Sequence, residues 1–397
     1  MAGNRGGLRL PDDHGWLISR WRSVPRAHPQ FTTYLSPGAR YWSQYWLRTP
    51  NQEVLLQGRA LALRSALTTA PGASAYDPRV SAKPFASSAD LAEKTATLEE
   101  LAPGVYAYTA QGDPNVGCIV GTDAVLAIEA RATPFMAQRW IDVIRTLTDL
   151  PFGDLVLTHY HAVRVLGASA FRARRIVAHA NTAAWIEERG AEDWASEAGR
   201  MPRLFAGAET IPGLTRPTHT FGEAMEIDLG NRRVQLRYLG RGHTAGDIVV
   251  WLPDERICFG GDLVEAQAAP YMGDGHIGDW RGTTLDAVAA LGARQLVGGR
   301  GPVVRGLAVA QAIEDTRAFL SAVFEGTRAV REAGGTPTEA YRSTHAALAP
   351  RYGSFPIFEH TMPFNVQRAW DELEGIDHPR IWTVERDREV WRALTGS

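Results

Sequence analysis

The stretch "LVLTHYHAVRVLGASAF", Leu155 to Phe171, ends an apolar run in two histidines one residue apart, His159 and His161. Strand ends are where ligands and catalytic groups gather in layered α/β folds. A lone histidine there is ordinarily a hydrogen-bonded structural residue. His-x-His differs, because two imidazoles on one loop can reach a single Zn²⁺ at about 2.0–2.1 Å. Two further donors follow the same pattern: His243 after "VQLRYLGRG" and Asp262 after "RICFGG", each where an apolar run ends in glycine. Three imidazoles and a carboxylate make a ligand set for one divalent cation, zinc first, with iron or manganese as alternatives. Such a cation lowers the pKa of water to about 7 and so supplies hydroxide for attack on a carbonyl. Asp262 is then the fourth ligand or the base that orients the water.

The segments "THYHAVRVLGA", "GHTAGDIVVWLPDERICFGGDLV" and "LVGGRGPVV" resemble, in order and spacing, the signatures of the metallo-β-lactamase superfamily over residues 98–305. In that family these are T-H-x-H-x-D-H, a His in G-H-T-x-G, an Asp in G-D, and G-H-G. The resemblance implies a four-layer αββα sandwich, here with a helical C-terminal segment. It assigns His159, His161 and His243 to the first metal site and Asp262 to the carboxylate that bridges two metals. The ligands special to the second metal are replaced: Val163 stands for the Asp, Arg164 for the His, and Arg300 for the His of G-H-G. Arginine is permanently protonated and offers donors only, so Arg164 and Arg300 repel a second dication. One guanidinium satisfies Asp262; one aimed at the pocket holds a substrate carboxylate or a developing oxyanion bidentately. The expectation is a single-metal hydrolase of a small, anionic carbonyl compound (ester, thioester or lactone), with Asp262, Arg164 and Arg300 as catalytic residues. The alternative is a silent member of the family, a binding or assembly module in which Arg164 and Asp262 have closed the old second site as a salt bridge.

His276, in "YMGDGHIGDW", is a candidate substitute ligand or pocket acid, set against an ordinary loop or capping position. Asp274 and Asp279 read as turn and helix-start residues. His179, His219, His345, His360 and His378 lack ligand spacing and take structural readings.

The elements that must deliver these residues are legible in the hydrophobic periodicity. "GVYAYTA" alternates like an edge strand, and "VGCIVGTDAVLAIEA" reads as a hairpin around Gly-Thr-Asp. Thr133 and Pro134 offer an N-cap and a first-turn proline for a helix through "TPFMAQRWIDVIRTLT". Strands "DLVLTH" and "RRIVAH", a helix from "NTAAWIEERG", two β-rich segments around residues 223–264 and the helix "DWRGTTLDAVAALG" follow. Strands and a helix, then strands and a helix again, suit two stacked sheets with helices outside. Four candidate helices lie beyond Val304. The division expected is a loosely ordered extension over 1–95, the sandwich over 96–305 and a helical extension over 306–397. A start at Val80 is an alternative N-terminus.

The chain has 397 residues, 45% hydrophobic content and a formal charge of -2. That length suffices for one large domain or two smaller ones. The near-neutral charge gives no electrostatic reason for nucleic acid or an anionic membrane as partner, and the apolar runs are short of a membrane span. Two cysteines, Cys118 and Cys258, sit inside strand-like runs as small hydrophobes, which fits a reducing cytoplasm. The C-terminal helices offer a surface for homo-oligomers.

Overall fold

Alternation along the strands sorts the apolar side chains into three layers. In the computed structural model, which describes residues 83–397, the strands β1 (Ala96–Ala102), β2 (Val105–Ala110), β3 (Val116–Val120) and β4 (Val125–Ile128) open the fold. Helix α1 (Pro134–Arg145), strand β5 (Phe152–Val156), the short helix α2 (Ala162–Val165), strand β6 (Arg175–His179), helix α3 (Ala180–Arg200) and strand β7 (His219–Phe221) follow. These seven strands form one sheet in the order β1-β2-β3-β4-β5-β6-β7. The hairpin around Gly-Thr-Asp is present, with Val120 paired to Val125. The segment "GVYAYTA" is β2 but not an edge: β1, whose charged "ATLEELA" hides its alternation, pairs outside it. Thr133 caps α1 by accepting from the Met136 N–H, with Pro134 in the first turn.

The second sheet contains β8 (Ala224–Asp228), β9 (Arg233–Tyr238), β10 (Ile248–Leu252), β11 (Ile257–Gly261), β12 (Gln295–Gly298) and β13 (Val304–Arg305), in the order β13-β12-β11-β10-β9-β8. Helices α4 (Ile277–Asp279) and α5 (Leu285–Ala290) interrupt it. After it come α6 (Leu307–Glu332), α7 (Pro337–Tyr352), α8 (Phe358–Leu373) and α9 (Val384–Thr395).

Ile119, Leu126, Val156 and Val177 of the first sheet meet Leu236, Ile248, Val250 and Phe259 of the second in the central layer. Their sequence neighbours point outward. Cys118, Val125, Ala127 and Leu155 pack with Trp140 and Ile144 of α1. Val249, Trp251, Cys258 and Leu296 pack with α5 and with the four C-terminal helices through Phe319, Tyr341, Phe358, Phe364 and Trp391. This is the αββα sandwich with a helical C-terminal segment. The described part of the 1–95 extension is Lys83 to Thr95; residues 1–82, and with them the alternative start at Val80, lie outside the described residues.

Strand direction assembles one functional edge. β10 is antiparallel to both β9 and β11, so β9 and β11 run the same way, and β12 is parallel to β11. The C-terminal ends of these three strands therefore share an edge. The end of β5 joins it from the other sheet, where the Ile248 N–H donates to the Thr158 carbonyl at 2.9 Å. That edge receives His159, His161, His243, Asp262 and Arg300.

Candidate metal centre

His159, His161 and His243 converge, with one ligand atom from each lying within 4.8 Å of the others. Their exposures are 0%, 2% and 1%. In every ring one nitrogen is held from outside the cluster. His159 Nδ1 is 3.0 Å from Thr158 Oγ1, His161 Nε2 is 3.2 Å from Asp274 Oδ2, and His243 Nδ1 donates to the Tyr271 carbonyl at 2.8 Å. Those contacts leave His159 Nε2, His161 Nδ1 and His243 Nε2 for one another. His161 Nδ1 and His243 Nε2 are 2.9 Å apart, and His159 Nε2 has no hydrogen-bond partner. Metal-binding histidines characteristically direct their second nitrogen to a carboxylate or carbonyl, which fixes tautomer and ring orientation. The donor set fits a cation of the zinc type.

Asp262 completes the group. Its Oδ2 lies 3.5 Å from His243 Nε2 and 3.9 Å from His159 Nε2. Its Oδ1 accepts from Arg164 Nη2, and Arg300 Nη1 reaches Oδ2 at 3.1 Å. Burial alone raises a carboxyl pKa; here Arg164, His159 and Arg300 overrule it and hold Asp262 well below the usual carboxylate range. Burial holds His159 well below the ordinary imidazole value, and it lowers His243 to about 3. Burial pulls His161 down too, but Asp193, Asp274 and Glu197 outweigh it and push that imidazole up to about 9. Two glycines make the approach possible. Gly261 has φ +52°, and a Cβ there would stand 2.7 Å from Thr158 Oγ1; a Cβ on Gly299 would stand 2.1 Å from Asp262 Oδ1.

A family model described as the metallo-beta-lactamase superfamily matches residues 133–300, the span holding all these residues. Over this span the chain is similar to the metallo-beta-lactamase superfamily. Among curated relatives, a metallo-beta-lactamase type 2 of Bacillus sp. (strain 170) is 25% identical over 196 residues, 47% of this chain and 68% of that protein. One of Bacteroides fragilis is 35% identical over 120 residues, 29% of this chain and 46% of that protein. Among solved structures, a metallo-beta-lactamase from Pontibacter korlensis is 18% identical with a TM-score of 0.47, covering 57% of this chain and 99% of that one. The enzyme FIM-1 from Pseudomonas aeruginosa, in a mono-zinc form, is 20% identical with a TM-score of 0.45, covering 57% and 95%.

Within this superfamily edge, the residues at the second-metal positions face inward on protein partners. The Val163 N–H donates to Glu197 at 2.7 Å. Arg164 gives both terminal nitrogens to acceptors of the fold: Nη1 to the Asn115 carbonyl at 3.1 Å, Nη2 to Asp262 and to the Gly299 carbonyl at 2.9 Å. Arg300 also reaches Glu265 Oε1 at 3.3 Å. Of the roles expected of these guanidiniums, the geometry shows the bonding of Asp262 by both.

Asp274 departs from its expected turn role, since it bonds His161 and takes Arg189 Nη1 at 3.3 Å. Strand-and-turn reading has no signal for this, because Asp274 meets His161 only in the fold. The same holds for Tyr271, whose carbonyl holds His243, and for Asp193, which accepts from the Ala162 N–H at 2.6 Å. His276 is 4% exposed, lies outside the triad and occupies the N-cap position of α4 without a side-chain capping hydrogen bond, so it is not a loop-surface residue. His179 is structural, accepting from the Asn181 N–H at the start of α3. His345 pairs with Glu359, His360 with Ser87 and His378 with Glu188.

Proposed function

We propose that this chain is a hydrolase working with one divalent cation, zinc first among the candidates, on a small carbonyl substrate of the ester, thioester or lactone class. The observation that supports it is the outward bracing of all three imidazoles, which leaves one nitrogen of each turned to a common point beside Asp262 Oδ2. When bound, the cation polarises a carbonyl oxygen and acidifies water. His159, His161 and His243 hold it, with Asp274, Thr158 and the Tyr271 carbonyl fixing their rings. Asp262 stays ionised and orients the attacking water through Oδ2, while Arg164 pins Oδ1. With Arg164 and Arg300 on Asp262, a second cation would be repelled, so the reading is mononuclear.

A second reading draws on the closed Arg164–Asp262 pair and on the near-complete burial of the trio: a fold retained as a binding module. Elemental mass spectrometry of protein purified without chelator or added metal separates the two. One equivalent of zinc, iron or manganese, lost in a His159→Ala/His161→Ala double variant that still folds, supports the hydrolase and directs an esterase, thioesterase and lactonase screen. No metal in the parent protein supports the module.

A further inference from the structure

Below the metal edge a cavity of about 10 Å³ is enclosed by Asn115, Glu129, Thr158, Arg164, Gly261 and Gly298, with apolar side chains closing the rest. Three of these residues carry a buried polar atom that no protein group reaches: Asn115 Oδ1, Glu129 Oε2 and Arg164 Nε. The side chains concerned are 3%, 2% and 1% exposed as residues. Every other polar atom on them is engaged. Asn115 Nδ2 donates to the Gly298 and Gly301 carbonyls at 3.0 and 2.9 Å, which fixes its amide and turns Oδ1 away from both. Glu129 Oε1 accepts from the Thr158 hydroxyl and, at 3.3 Å, from the Thr158 N–H. Both Nη atoms of Arg164 are bonded, as described above.

From this arrangement we infer that the cavity is a binding site for one ordered water molecule, which bridges Asn115, Glu129 and Arg164 and belongs to the clamp on Asp262. The volume is that of a single water, and a buried water is retained where two to four polar partners converge on it. The partner set is two acceptors and one donor. Water donates twice and accepts once there, leaving no atom unmatched. A cation would face the Arg164 guanidinium, and an anion would face Asn115 Oδ1 and the Glu129 carboxyl group. Burial raises the Glu129 carboxyl to about 7; if it is protonated the water reverses one bond, accepting from it, and the match persists.

The consequence is positional. With the water on Nε, all of the arginine's nitrogens are bonded, so the plane of the guanidinium is fixed over Asp262 Oδ1. Arginine, water and Glu129 together then stand beside the carboxylate that the superfamily's second metal shares. The inference does not depend on a cation in the histidine trio.

The test is a crystal structure of the full chain at a resolution that orders buried waters, with anomalous data from crystals soaked in rubidium and in bromide. Expected is one peak lying about 2.7–3.2 Å from Asn115 Oδ1, Glu129 Oε2 and Arg164 Nε, with no anomalous signal from either soak. A cavity without density overturns the proposal, and so does an anomalous peak, which would make the occupant an ion.

Discussion

Asp262 gathers more charge than any other residue of the edge, and the form of that charge decides what substitution does. A guanidinium bonds in several directions at fixed angles; an ammonium is a point charge on a flexible stem. Arg164 uses that shape, joining Asp262 to the Asn115 and Gly299 carbonyls. Arg164→Met leaves Asp262 with Arg300 as its remaining cation, and breaking a buried pair in this way costs about 3–5 kcal/mol. Arg164→Lys is expected to recover less than half of that loss in urea unfolding, since one ammonium cannot span all three acceptors; full recovery would show that charge alone matters. The cysteines carry a pH prediction at the same scale. Burial pushes Cys118 and Cys258 up to about 12, whereas an unfolded thiol titrates near about 8.5. The folded state thus favours the protonated thiols. Their contribution is present in full below about 8.5 and is lost progressively as pH rises towards about 12. The urea midpoint should fall between pH 8 and pH 10, and a Cys118→Ala/Cys258→Ala variant should show a shallower fall. Native protein at pH 8 should also resist thiol reagents that label both residues once it is unfolded.

Among the elements, α3 positions the chemistry without supplying a ligand. Asp193 and Glu197, one turn apart, receive the Ala162 and Val163 N–H groups that begin α2, and so hold the loop carrying His161. Glu197→Ala leaves the Val163 N–H buried without an acceptor, an expected loss of about 1–3 kcal/mol measurable by chemical denaturation. Wild-type stability in that variant would remove α3 from this role. The sequence reading saw α3 only as "NTAAWIEERG", because past Gly190 the acidic, small residues look solvent-facing; in the fold Asp193, Ser196, Glu197 and Arg200 are all buried. The histidines and Asp262 were legible because they follow apolar runs at a recognisable spacing, and the two replacing arginines because the family resemblance marks their positions. Asp274, Tyr271, Asn115 and Glu129 were not, since their partners lie 28 to 186 residues away and nothing local marks the pairing. Period and caps showed β3, β4 and α1; the charged edge strand β1 escaped because its outer face is solvated.

At the scale of the molecule, the C-terminal helices extend the core. Val249, Trp251, Cys258 and Leu296 alternate with the central layer, so the outward apolar side chains of β10, β11 and β12 depend on a cover outside the sheet. That cover includes Phe319, Phe358, Phe364 and Trp391, drawn from α6, α8 and α9. Polar bonds fasten the same helices close to the metal edge. Asn365 accepts from the Met272 N–H at 2.7 Å and donates to the Pro270 carbonyl at 2.8 Å, either side of the Tyr271 whose carbonyl holds His243. The Trp382 indole donates to the Gly273 carbonyl at 3.0 Å, next to Asp274. Burying an aromatic side chain of this kind contributes about 1.5–3 kcal/mol, so stripping several at once exceeds the few kcal/mol by which domains are ordinarily stable. A chain ending at Gly306 is therefore expected to aggregate or to show no cooperative melt, whatever metal is supplied. The finer test is Asn365→Leu, which preserves size but breaks both bonds to the 270–272 segment. If the helices hold His243 in place through that segment, this variant should remain folded by circular dichroism and melt cooperatively while its metal content falls below that of the parent. Unchanged metal content would limit the helices to covering the sheet.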